Sequence, residues 1–181
     1  VWAIGCPYKC SFCGNSKFIE NDVDYKKIRH TSVDTIIKEV KEVIRKHPHV
    51  SSITFHDDAF IGLSHAVLRE FAQKWKKEVN IGFTVVGALP GLVVREKIKI
   101  LVKGGMSRVK MGIQSGSDNM LEFYKRPATV AITNRAVSII AEFTDYMISP
   151  TYNLILDNTL EHRQDVIDTL SSTHNIPTPY P

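Results

Sequence analysis

Cysteine is scarce in this sequence and unevenly placed. There are three, Cys6, Cys10 and Cys13, all inside Cys-Pro-Tyr-Lys-Cys-Ser-Phe-Cys. Three thiols cannot close a set of disulfides, and a knot of free thiols suits a reducing cytoplasm. Long apolar runs are missing: no stretch approaches the ~20 residues that a membrane-crossing helix needs. Blocks of one charge sign are missing too. The 23 Lys and Arg and the 19 Asp and Glu are scattered, with a formal net charge of +4. That pattern is a solvated surface, not a basic stripe for nucleic acid. No close repeat, long linker or low-complexity tract interrupts the chain. What remains is ordinary globular composition: 181 residues, 43% hydrophobic and 23% charged, enough for one domain with a real core. The chain opens at Val1, inside what reads as a strand, and closes on Pro-Thr-Pro-Tyr-Pro, so the expectation is an excerpt of something longer.

Apolar periodicity gives a repeating order. Val1 to Ile4 reads as a strand. Val33, Ile36, Ile37, Val40, Val43 and Ile44 form one helical face, capped by Ser32 or Thr31 and stopped at His47-Pro48. Ile53-Thr54-Phe55 is a short strand running into His56-Asp57-Asp58. Ser64 caps a helix facing inward with Val67, Leu68, Phe71 and Trp75. Ile81, Phe83 and Val85 alternate as a strand ending at Gly87. A helix through Val94, Ile98, Leu101 and Val102 closes on Gly104-Gly105. Val109, Met111 and Ile113 alternate up to Gln114-Ser115-Gly116. Helices follow around Met120 to Tyr124 and through Ile132, Ala136, Ile139, Ile140 and Phe143. Tyr152 to Leu156 is a strand ending at Asp157-Asn158, and Val166, Ile167 and Leu170 mark the last helix. Five strand–helix units of this kind call for parallel βαβ units. Cys6, Asp57, Gly87, Gln114 and Asp157 all follow strand C-termini, where a (β/α) barrel builds its active site. The expected fold is α/β, a partial TIM-like barrel with a parallel sheet.

The spacing Cys-x3-Cys-x2-Cys admits three readings. A structural zinc site takes four ligands, and the nearest candidate for the fourth, His30, reads as a surface histidine just before a helix cap. A thioredoxin-like site needs only Cys10 and Cys13 at a helix start. It leaves Cys6 idle, and the next strong helix signal lies near residue 32. The third is an iron–sulfur cluster. Three thiolates on a [4Fe–4S] cube leave one iron without a protein ligand, open to a substrate or cofactor.

The motif resembles the signature of the radical S-adenosylmethionine (SAM) superfamily: three cysteines in this spacing after the first strand of a partial barrel, with an aromatic, Phe12, before the third. Ile53-Thr54-Phe55-His56-Asp57-Asp58-Ala59-Phe60 is similar to the second-strand segment of the cobalamin-binding branch. Met111 to Ser117, Tyr124-Lys125-Arg126-Pro127 and Leu154 to Asn158 are similar to later segments of that branch. Thr159, Leu160, Glu161 and His162 depart from its usual continuation. The resemblance implies that Cys6, Cys10 and Cys13 hold a [4Fe–4S] cluster whose open iron chelates SAM. One electron, from a reductant of flavodoxin or ferredoxin type, then splits SAM into methionine and a 5′-deoxyadenosyl radical that abstracts hydrogen from a substrate. It also implies a single core domain over 1–181, a sixth strand beyond Pro181, and an N-terminal cobalamin domain not contained in this sequence, so cobalamin stands as a cofactor of a longer chain only. No catalytic residue is assignable beyond the cluster ligands.

Further candidates carry two readings each. Phe12 packs at the cluster or adenine, or is plain core. Asp57 and Asp58 meet SAM or substrate, or build the turn. Gln114 and Ser115 contact the ribose and methionine portion, or form a capped turn with Ser117 as N-cap. Arg126 pairs with the SAM carboxylate, as a guanidinium suits, or is an exposed residue after a helix. The four methionines read as core packing. An electron-transfer module without SAM chemistry and a zinc-stapled binding domain are the rival functions.

Overall fold

The structure is a computed structural model and describes residues 1–177. In chain order, β1 is Ala3–Ile4, α1 Asn15–Asn21, β2 Arg29–His30, α2 Val33–Lys46, β3 Ser52–Phe55 and α3 His65–Lys74. They are followed by β4 Gly82–Ala88, α4 Arg95–Gly104, β5 Met106–Gln114, α5 Asp118–Phe123, α6 Val130–Ala141, β6 Thr151–Leu154 and α7 Arg163–His174. Strands β3, β4, β5 and β6 form a parallel sheet in that spatial order. All four therefore release their C-terminal loops at one end of the sheet, and that end carries the site.

The helices form where the apolar stripes predict them. Ser32, Ser64 and Ser117 accept hydrogen bonds from the backbone amides of Thr35, Val67 and Met120, satisfying amides that have no partner within the helix. Helix α4 stops at Gly105, whose φ of 109° suits glycine. The core is aromatic: Phe55, Phe60, Phe71, Trp75 and Phe83 are fully buried, with rings in edge and tilted contact. Met106, Met111 and Met120 are buried in the core, as expected.

Three features differ from expectation. Strand β1 does not join the parallel ladder. It pairs antiparallel with β2, Ala3 opposite His30, and Trp2 stacks on Phe71 at 4.8 Å. Helix α1 begins at Asn15, far earlier than residue 32. It is short and buries only Ile19, so it leaves no stripe to detect. Helix α7 turns polar residues inward. Asp165 and Thr169 are buried while Val166, Ile167 and Leu170 are exposed. Thr178 to Pro181, which entered the reading of the chain's end, lie outside the described residues.

Candidate active site

The cysteine loop runs from β1 to α1 and is pinned at both ends by one carboxylate. Asp58 accepts from the Gly5 amide at 2.9 Å, from Nδ2 of Asn15 at 2.9 Å and from the Tyr25 hydroxyl at 2.8 Å. Gly5 precedes the first cysteine and Asn15 follows the third by two residues. Beside it, Asp57 accepts from the backbone amides of Trp2 and Ala3 at 2.9 and 2.8 Å. Its burial pushes the carboxyl above its ordinary range, against the pull of those two amides. Gly5 has φ +105°, and a Cβ there would lie 2.3 Å from the Lys27 carbonyl oxygen, so the residue before Cys6 must be glycine.

Inside the loop, Cys6 and Cys10 are buried and Cys13 is half-buried. Tyr8, Ala59, Leu89, Ile28 and Leu92 pack around them. Burial pushes the Cys6 thiol up to about 11. Burial also raises Cys10, with the Arg126 guanidinium working in the opposite direction. Among the described residues, no three His, Cys, Asp or Glu side chains converge on a point that would hold one metal ion. Tetrahedral zinc, with Zn–S near 2.3 Å, needs thiolates within about 4 Å of each other. A cube that binds each thiolate on a separate iron has no such need. His30 stays at the surface, its ring against Trp2 and its Nδ1 against the Thr31 carbonyl. The donor set, three thiols in an apolar shell, fits an iron–sulfur cluster.

The other expected residues divide. Gln114 ends β5 with φ +74°, and its side-chain amide lies over Gly112. Arg126 is buried rather than exposed, 7% accessible, and Nη1 is 3.8 Å from Sγ of Cys10. Phe12 is 43% exposed and meets the edge of Tyr124 at 5.3 Å, so the core reading of Phe12 is corrected. Ser115 is corrected as well. It is fully buried, bonded to Thr169 Oγ1 at 3.0 Å and accepting from the Ser117 amide, which leaves its hydroxyl no cofactor to meet. Both oxygens of Asp57 are likewise committed to β1, so its side chain belongs to the turn. Its carbonyl oxygen faces Gly87, where a Cβ would come within 2.5 Å.

Sequence reading missed Asn15, Tyr25 and Tyr124. Tyr124 gives its carbonyl to the Ser11 amide and accepts from Asn158 Nδ2 at 3.0 Å. An open groove of about 490 Å³ between α3 and α4 is lined by residues such as Arg69, Gln73, Lys76 and Lys103. It includes none of the expected site residues.

The sequence profile of the Radical SAM superfamily matches residues 2–170. The chain belongs to the radical SAM superfamily. Its curated relatives include an uncharacterized methyltransferase of Pyrococcus horikoshii, 27% identical over 98% of this chain and 38% of the relative. They also include the anaerobic magnesium-protoporphyrin IX monomethyl ester cyclase of Cereibacter sphaeroides, 22% identical over 86% of this chain and 25% of that enzyme. This radical SAM chain thus spans well under half of the relatives it matches. Among solved structures, the cobalamin-dependent radical SAM enzyme OxsB, with aqua-cobalamin and SAM bound, superposes with TM-score 0.76 at 21% identity, over 94% of this chain and 25% of OxsB. The radical SAM methyltransferase TsrM of Kitasatospora setae, with cobalamin and a [4Fe-4S] cluster bound, gives 0.74 at 15% identity over 97% of this chain and 31% of TsrM. These neighbours establish the fold, the partial parallel barrel of radical SAM enzymes. Among the described residues no helix is long and apolar enough to cross a membrane.

Proposed function

We propose that this chain binds a [4Fe–4S] cluster through Cys6, Cys10 and Cys13 and is the part of a larger enzyme that cleaves SAM reductively. The observation that carries this is the pinned loop: three thiols in an apolar pocket at the C-terminal end of a parallel sheet, both ends of the loop fastened by Asp58. Held by Cys6, Cys10 and Cys13, such a cluster would supply the one electron that reductive cleavage of SAM requires.

The chain's own residues hold and shield. Cys6 and Cys10 give up thiol protons on loading, since ligation needs thiolates. Tyr8, Leu89 and Leu92 keep water from the sulfurs. We assign SAM contacts to the backbone at Asp57 and Asp58 beside Gly87 and to the Gln114 amide, with Phe12 offering a ring face for adenine. Cobalamin, which OxsB and TsrM bind, we place outside residues 1–181. A flavodoxin- or ferredoxin-type donor is the proposed reductant.

The test is anaerobic reconstitution with iron and sulfide, then reduction in the presence of SAM. The chain should take up about four irons and form 5′-deoxyadenosine. Each of Cys6→Ala, Cys10→Ala and Cys13→Ala should lose the cluster absorbance while keeping far-UV circular dichroism. Full iron load in all three variants would sink the cluster reading. A stable cluster with no 5′-deoxyadenosine would leave an electron carrier.

A further inference from the structure

Arg126 lies where a buried cation needs a reason. It follows α5 and is 7% exposed. Nη2 donates to the Gly112 carbonyl, and Nη1 approaches Sγ of Cys10 at 3.8 Å. Its Cζ sits 5.8 Å from the centre of the Tyr8 ring. Nε is buried with no hydrogen-bond partner, and among the described residues Arg126 forms no ion pair with a carboxylate. A desolvated guanidinium facing only a carbonyl, a ring and a neutral thiol is poorly compensated. An anion at the cysteine loop would complete its surroundings.

We infer that Arg126 is a positioning and tuning residue for the cluster proposed above, not chiefly a clamp for the SAM carboxylate. A cation donating to a ligand sulfur favours the more negative, reduced form. Hydrogen bonds to sulfur and local charge are among the levers that set cluster potentials. The Tyr8 ring holds the guanidinium from one side, and Gly112 leaves room for its approach: a Cβ there would lie 3.4 Å from Nη2. Arg126 therefore makes the cluster easier to reduce before SAM arrives.

The inference rests on the cluster reading, and the experiment separates the two. The chain is reconstituted anaerobically, without SAM, and poised at the midpoint potential of the unsubstituted protein. In Arg126→Met the ratio of reduced to oxidised cluster should fall about tenfold, equivalent to 59 mV for a one-electron couple. Arg126→Lys, which keeps the charge, should fall by clearly less. A methionine variant with full iron load and an unchanged midpoint overturns the inference. Weakened SAM binding in that variant would return Arg126 to the SAM carboxylate.

Because loss of a buried arginine can cost the fold, a second measurement uses the unsubstituted chain. Labelled with ¹⁵N-arginine and reduced, it should show hyperfine coupling between guanidinium nitrogen and cluster spin in pulsed EPR, and Arg126→Lys should lose that coupling. A reduced cluster without the coupling also overturns the inference. If no paramagnetic cluster forms at all, the cluster reading has failed and this inference falls with it.

Discussion

Asp57 and Asp58 are neighbours in sequence with separate partners. The first spends both oxygens on the amides of Trp2 and Ala3. The second collects Gly5, Asn15 and Tyr25. Hydrogen bonds to a charged acceptor contribute roughly 1.5–3 kcal/mol each, and stranding buried donors adds a penalty. Asp57→Ala should therefore lower unfolding free energy by about 3 kcal/mol in urea titrations, because it frees a strand that carries Trp2 into the aromatic core. Asp58 is only partly buried, so Asp58→Ala should cost less, about 1–2 kcal/mol. Its larger effect should be on loading, with iron uptake well below that of the unsubstituted chain, since both ends of the cysteine loop come loose. Full uptake at the original rate by Asp58→Ala would show that the loop holds its shape unaided.

Helix α7 inverts the usual sorting of side chains. Its buried Asp165 accepts from the Ser117 hydroxyl at 2.5 Å and from the His162 amide at 3.0 Å. Thr169 bonds Ser115 and the Gly116 amide. The Ser117 bond first, then the His162 amide, holds the Asp165 carboxyl below its ordinary value. A lowered folded-state value means that the unfolded chain protonates first as pH falls. The stabilisation is complete above about pH 4 and disappears as acidification continues through the lower folded value. Asp165→Asn should melt at a lower temperature at pH 7, and the gap between the two proteins should close below pH 4. A constant gap would mean that the carboxylate charge is irrelevant. Polar sorting also explains what the sequence concealed. The stripe of α2 and the caps at Ser32, Ser64 and Ser117 are local signals and were readable. The role of Thr169 depends on Ser115, 54 positions earlier in the chain. In the same way, the thiol spacing is a local signal, and it pointed to the family. The partners of Asp57 lie 54 and 55 residues away, beyond the reach of any periodicity.

On the scale of the molecule, the parallel sheet places its loops at one end, and the flank by β6 and α7 exposes apolar side chains: Leu156, Leu160, Ile167 and Leu170 are 58, 60, 42 and 59% accessible. Scattered exposed apolar residues are common, but several on one flank favour self-association. The double substitution Ile167→Lys with Leu170→Lys should raise the solubility limit of the isolated chain. It should also leave the thermal midpoint nearly unchanged, since exposed positions away from special contacts shift stability by about 0.5 kcal/mol or less. A large fall in the midpoint would reveal packing that the exposure conceals.

The attachment of β1 has a metric consequence. A strand held in a long ladder can slip by two residues and still present the same face. Strand β1 is instead gripped at two consecutive amides by one carboxylate, and at a third, Gly5, by the next. The grip fixes the strand to a single register and makes it a ruler with its zero at Ala3. Each residue of extended chain measures about 3.3 Å, so one residue inserted or deleted between Ala3 and Cys6 would shift the first thiol by about that distance. The count of residues between Ala3 and Cys6 is therefore as much a part of the site as the cysteines themselves.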